Sequence, residues 1–318
     1  MDLVTYQTQD IWTWWIAVYL FFGGLGAATL SVTFLTDMYM QPHRSLVIWG
    51  AWSGVIMLGL GSAMLFSHLL HHIAVIHVLN PLILLKKPGA WIALGTQFII
   101  WMMFWGMLYS LPHLQECEGT DRVPGLRWLL NRRPIKGLSQ LCARYSRVIG
   151  WLATINGIGT AVYTGLLLQS FPAVALWHNP GVPLLFTLSA FSTAMAYLLI
   201  ILNFSKKKEE DEAIVRLYER LDLMLIAAEI VVLFSIFNYL QTGSAAAQKS
   251  LSILFGDLGW LIGFLCFGLI VPFFLQLKAV VAGWRSNVPV VLSAMLVLTG
   301  GYLLRHYFLV AGVYAYPW

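Results

Sequence analysis

The sequence predicts an all-α integral membrane protein of eight transmembrane helices, and three observations carry that prediction. Of the 318 residues, 59% are hydrophobic and only 10% are charged, against roughly 25% charged residues in an average soluble domain. The apolar residues gather into eight stretches, each long enough to cross the hydrocarbon layer, which takes about 20 residues at a rise of 1.5 Å. Basic residues collect in alternate connections between these stretches.

The stretches run approximately 14–36, 46–68, 90–111, 148–170, 182–203, 219–240, 256–277 and 289–311. The first follows Asp2 and Asp10, lacks a basic leader and has no small-residue cleavage site. It is therefore expected to be a retained span and not a cleaved signal peptide. Small residues at Gly23, Gly24, Gly26 and Ala27, at Gly59, Gly61 and Ala63, and at Gly157, Gly159, Ala161 and Gly165 predict close helix approach in the first, second and fourth stretches. The longest loop, about 112–147, mixes acidic and basic residues, and its part 125–145 can hold a short interfacial helix. The stretch 204–216 carries the run KKKEEDE, the mark of a solvated connection. Pro272 removes a backbone donor inside the seventh stretch and predicts a kink there. GGLGAA in the first helix and SAFSTAMA in the fifth hint at a duplication but are too degenerate to establish one.

Orientation follows from charge. The connections after helices one, three, five and seven hold fifteen of the 19 Lys and Arg residues, whereas the opposite connections hold only Lys86, Lys87 and Lys249. The positive-inside rule then places both chain ends outside the cytoplasm. The net charge of +5 reports this orientation and lends no support to nucleic acid as a partner. Cys117, Cys142 and Cys266 are widely separated and form no Cys-x-x-Cys pair, which argues against a zinc site or an iron–sulfur cluster within the chain.

Ionisable groups in a bilayer core are costly unless paired or hydrated, so the few present point to function. Asp222 and Glu229 fall in the sixth helix, seven residues apart on nearly one face, and Arg305 falls in the eighth. Counting inward from the cytoplasmic helix ends puts Glu229 and Arg305 within roughly one turn of each other in depth. They are expected to form either a buried ion pair that fixes packing or, with Asp222, part of a proton path. His68, His71, His72 and His77 cluster at the outer end of the second helix and beyond it, with His306 the main distant histidine. Haem ligation, proton relay and a plain interfacial position are three open readings of that cluster. Trp12, Trp14, Trp15, Trp177, Tyr314, Tyr316 and Trp318 form an aromatic belt at the outer ends. Tyr163 differs, because its hydroxyl lies inside the fourth helix and needs a partner, which a bound carbonyl or a neighbouring backbone oxygen can supply.

Several segments resemble the NrfD/PsrC family, the membrane subunits of polysulfide reductase-like and nitrite reductase-like respiratory complexes. These are WIAVYLFFGGLGAA in the first helix, YTGLLL at 163–168, NPGVPLLFTLSAFST at 179–193, RLDLMLIAAEI at 220–230, GLIVPFF at 268–274 and GGYLLRHYFLVAG at 300–312. These segments fall, in order, in helices one and four to eight, and the resemblance extends over essentially all eight helices. The resemblance implies two four-helix bundles: 1–147 holds helices one to three and the long cytoplasmic loop, 148–181 adds helix four to complete the quinone-binding bundle, and 182–318 forms the C-terminal bundle. It further implies a quinone (menaquinone or ubiquinone) near the outer surface, with no haem or iron–sulfur cluster bound by this chain. An extracytoplasmic [4Fe–4S] ferredoxin-like subunit and, through it, a catalytic subunit are the implied partners.

Carried over by position, Tyr163 matches a family tyrosine at the quinone, and Asp222, Glu229 and Arg305 match polar positions of the second bundle. The chain departs from the family where an acidic-Leu-Gly-basic stretch is replaced by His72-Ile73-Ala74-Val75, and where polar side chains at the start of helix one are reduced to Thr13. By placement, His72 and His77 are the candidate replacements as hydrogen-bond or proton partners. The expectation is a quinone-reactive anchor of an anaerobic respiratory complex in a bacterial or archaeal cytoplasmic membrane, surrounded by lipid and inactive by itself. A secondary transporter and a haem b-type anchor are the alternatives, and the terminal substrate stays open.

Overall fold

A computed structural model describes residues 6–68, 79–87, 89–116, 125–204, 212–282 and 287–315. Among these described residues, eight helices are long and apolar enough to cross a membrane. Span 1 is Trp14–Met40, span 2 Arg44–His68, span 3 Trp91–Glu116 and span 4 Ser146–Gln169. Span 5 is Gly181–Phe204, span 6 Glu212–Gln241, span 7 runs from Gly259 to Ala282, and span 8 is Asn287–Val310. Several spans outrun their apolar stretches, most clearly span 6, which starts at Glu212 and not near residue 219. A hydropathy pattern ends at the first charges, but hydrogen bonding carries a helix on into the headgroup region, where charges are solvated.

Span 1 is the hub. Its central window is 83% buried, against 28% for span 3 and for span 6, and it packs against spans 2, 4, 5 and 8. The other neighbours follow the chain: span 2 lies on span 3 and span 3 on span 4, while span 5 lies on spans 6 and 8 and span 7 on spans 6 and 8.

Span 7 does not simply kink at Pro272. It runs as a π-helix over Gly259–Ile270, with Val271 N–H bonding to the Cys266 carbonyl five residues back, and turns α-helical from Val271. Pro272 has no N–H with which to continue the wider register, so the π stretch ends against it. Spans 7 and 8 cross at Gly268 and Gly300, where a Cβ added to either would come within 2.6 Å of the other's Cα.

Both described chain ends lie on one face. Gln9 N–H donates to the Gly312 carbonyl (2.8 Å), Tyr314 N–H to Gln7 (3.0 Å), and Ala315 N–H to Ala173 in the connection between spans 4 and 5 (2.7 Å). The Gln9 amide caps the Leu309 carbonyl at the end of span 8, and the Trp177 indole N–H caps Phe308 at 2.6 Å. On the opposite face the expected interfacial segment forms two short helices, Leu126–Leu130 and Arg133–Arg144, with the Arg132 guanidinium 3.7 Å above the Trp128 ring. Cys142 is buried there, and burial pushes its thiol up, away from the reactive thiolate.

Candidate functional site

Among the described residues, two polar constellations contain the sequence-predicted site residues Tyr163 and Asp222. The first joins spans 1 and 4: the Tyr19 hydroxyl donates to the Tyr163 hydroxyl at 3.1 Å, and each residue is only 1% exposed. Tyr19 lies five residues into span 1 and Tyr163 six residues before the end of span 4. Both are thus about 8–9 Å below the face that carries the chain ends. Gly95 of span 3 makes room for the pair, since a Cβ there would collide with the Tyr163 ring. Tyr163 accepts from Tyr19, so its own proton meets no acceptor among the described residues and can be donated to a carbonyl at this depth.

The expected neighbours of Tyr163 are not all brought to it. Thr13 is exposed and is the N-cap residue of span 1, where its side chain makes no capping bond. It lies six residues outward of Tyr19, about 9 Å along the helix, and so belongs to the approach to the pair. His72 and His77 lie outside the described residues. Sequence reasoning missed Tyr19 as the partner of Tyr163, although counting both tyrosines inward from the same face places them at equal depth.

The second constellation takes one side chain from each of the last four spans. The Asp222 carboxylate of span 6 accepts from the Ser192 hydroxyl of span 5 (2.5 Å) and from the Gln276 amide of span 7 (2.6 Å). The same amide nitrogen reaches the Ser293 hydroxyl of span 8 at 3.4 Å. Asp222 is fully buried, and the bonds from two helices stand in for the water it has lost.

Arg305 is also fully buried, but the expected ion pair with Glu229 is not made. The Arg305 Nε donates to the Leu20 carbonyl of span 1 (3.2 Å), Nη1 to Gly301 (2.6 Å) and to the Ser189 hydroxyl (3.2 Å), and Nη2 to Phe186 of span 5 (3.4 Å). Glu229 Oε1 is buried with no hydrogen-bond partner. Depth counting places the two charges at similar heights, yet carbonyls from three helices and the Ser189 hydroxyl take four of the five guanidinium N–H donors. The two groups interact through space only. Gly24 of span 1 lets the guanidinium approach, because a Cβ there would lie 3.2 Å from Nη2.

Comparison with known proteins adds an independent observation. Residues 4–317 match the family described as polysulphide reductase, NrfD. The sequence is 29% identical over 311 residues to the C subunit of polysulfide reductase from Wolinella succinogenes, covering 95% of this protein and 94% of that one. It is 25% identical to the protein NrfD of Escherichia coli, covering 95% of each, and 22% identical to an NrfD homolog of Haemophilus influenzae, covering 97% of each.

Proposed function

The chain belongs to the polysulphide reductase NrfD family, and from this we propose that it is the membrane anchor of a respiratory oxidoreductase complex, exchanging electrons between the quinone pool and an extracytoplasmic iron–sulfur subunit. The observation that carries the reading is the buried Tyr19–Tyr163 pair, set about one and a half turns below the face of the chain ends. The proposed orientation, with that face outside the cytoplasm, rests on the concentration of Lys and Arg in the opposite connections. The proposed division into two four-helix bundles is supported by neighbour relations that close on themselves, spans 1–2–3–4 and spans 5–6–7–8.

A quinone, when bound, supplies an acceptor or donor of two electrons and two protons. What the chain contributes is a donor and a place. Tyr163 holds the proton that can meet a carbonyl oxygen, and Tyr19, donating to Tyr163, polarises that hydroxyl and fixes its direction. Gly95 keeps a side chain off the Tyr163 ring. Thr13 stands at the approach, and His72 and His77 stay proposed as proton partners. The shallow depth keeps electron transfer to a subunit docked on that face short. Asp222, Glu229 and Arg305 are buried apart from this pair, in the second half of the chain.

Affinity purification of the protein from its native membrane tests the proposal. We expect a co-purifying subunit with the electron paramagnetic resonance signals of several iron–sulfur clusters, reducible or oxidisable through added quinone analogues. Isolation of the protein by itself, with substrate flux in vesicles as its only activity, would contradict it.

A further inference from the structure

The connection between spans 3 and 4 differs in charge from the others on its face. From residue 122 to residue 147 it holds seven Lys and Arg residues and no Asp or Glu. Elsewhere on that face cations have acids beside them: Arg44 pairs with Glu116, Arg216 with Glu212, and Lys206 to Lys208 run straight into EEDE. Within the connection, the helix Arg133–Arg144 sorts its residues onto three sides at about 100° per residue. Ile135, Ser139 and Cys142 share one side, where Ser139 and Cys142 are buried as the helix packs on spans 3 and 4. Pro134, Leu138 and Leu141 share a second, and Arg133, Lys136, Gln140 and Arg144 the third. Leu138 and Leu141 are 41% and 54% exposed, and Trp128 of the preceding short helix is 63% exposed. The Gln115 amide of span 3 fixes the elbow between the two short helices by donating to the Leu130 carbonyl at 3.1 Å.

We propose that this segment is a binding surface for anionic phospholipid in the leaflet opposite the chain termini. A helix with an exposed apolar side and a basic side lies in the plane of the interface, apolar side toward the acyl chains. Leu138 and Leu141 then enter the hydrocarbon, Trp128 sits at the headgroup level, and Arg132, Arg133, Lys136 and Arg144 meet the phosphates. Clusters of four to eight cations beside a membrane span recognise anionic headgroups, and a guanidinium fits a phosphate with two parallel bonds. The Arg132 guanidinium is held 3.7 Å above the Trp128 ring, so part of its ordering is complete before a phosphate arrives. An anionic phospholipid supplies both things the segment asks for, hydrocarbon for the leucines and negative charge for the cations. An acidic soluble protein supplies only the charge and leaves the leucines in water. The surface rests on the membrane-spanning fold and is independent of the quinone chemistry.

The test titrates the assembled complex in mild detergent with phosphatidylglycerol and, separately, with phosphatidylcholine of the same acyl chains, and counts bound lipids by native mass spectrometry. We expect the first phosphatidylglycerol to bind about fivefold or more tightly than the first phosphatidylcholine, the factor that one basic side chain near an anionic surface supplies. Replacing Arg132, Arg133, Lys136 and Arg144 together by Gln should bring the two lipids level. Arg132→Gln with Arg133→Gln should lose part of the preference, and this smaller change decides the matter if the fourfold variant does not assemble. Replacing Lys206, Lys207 and Lys208 by Gln, in the connection between spans 5 and 6, should leave the preference intact. Leu138→Ser with Leu141→Ser should weaken both lipids and keep their ratio. No preference in the parent, a preference that survives loss of the arginines, or an equal loss on changing Lys206 to Lys208 would overturn the surface. Binding is read without turnover, so this result and the quinone reading stand or fall separately.

Discussion

Spans 1 to 4 and spans 5 to 8 bury polar groups of different kinds. The first half keeps neutral hydroxyls inside: Tyr19 and Tyr163 bond each other, while Ser31, Thr160 and Thr164 bond carbonyls of their own helices. The Asp, Glu, Lys and Arg side chains within these spans stay near the face opposite the chain ends, where Asp37 accepts from Tyr109 at 2.6 Å and lies 3.2 Å from His113, and Arg44 pairs with Glu116. The second half carries Asp222, Glu229 and Arg305 in its interior. A neutral hydroxyl can be buried against a carbonyl at little cost, whereas an interior charge is expensive. The chain keeps these two kinds of burial apart. Arg305 is the exception that joins them, through the Leu20 carbonyl next to Tyr19.

Replacing Arg305 should do the most damage to this division. Arg305→Gln strips donors from carbonyls of spans 1, 5 and 8 and should cost about 3–5 kcal/mol, the range for disrupting a buried charge network. The complex should be lost from membranes, as measured by the amount surviving detergent extraction and size-exclusion chromatography. Gly95→Ala comes next. Its Cβ overlaps the Tyr163 ring, and overpacking of this kind costs about 1–3 kcal/mol. We expect reduced quinone-linked turnover in a complex that still assembles. Glu229→Gln should be milder for assembly than Arg305→Gln, because it breaks no direct bond. Equal losses for the two would revive a direct ion pair, and a double-mutant cycle decides the matter. Tyr19→Phe should have the smallest effect, about 1 kcal/mol or some fivefold in quinone-linked turnover, since it removes one donor to Tyr163 and leaves Tyr163 in place.

Much of the fold is legible in the sequence because hydrocarbon leaves a polypeptide few choices: backbone groups must bond within a helix, and the helix must be apolar for some 20 residues. The site is legible by halves. Tyr163, Asp222 and Arg305 stand out as polar groups inside apolar stretches, and all three are buried in polar constellations. The partners are harder to see. Tyr19 looks like another belt aromatic, and Ser192, Gln276 and Ser293 are residue types common in any span. Depth can be counted along a helix, but the direction a side chain faces depends on which neighbour lies there. For that reason depth counting puts Glu229 and Arg305 at similar heights but does not show that the guanidinium bonds to carbonyls and a serine and not to the carboxylate. The π register of span 7 has only Pro272 as its signal, and a proline alone does not distinguish a kink from a widened helix.

If the tyrosine pair is where the chain meets quinone, Tyr163→Phe should show it. The substitution keeps the ring against Gly95 and removes only the hydroxyl. Turnover of the assembled complex should be measured across quinone concentrations and again with an artificial electron donor to the catalytic subunit. We predict a several-fold or greater fall in quinone-linked turnover, as loss of one buried hydrogen bond of about 1–3 kcal/mol requires, with the artificial-donor rate unchanged. Parent-level quinone turnover at every concentration would show that Tyr163 only packs, and would move the site outward toward Thr13, His72 and His77.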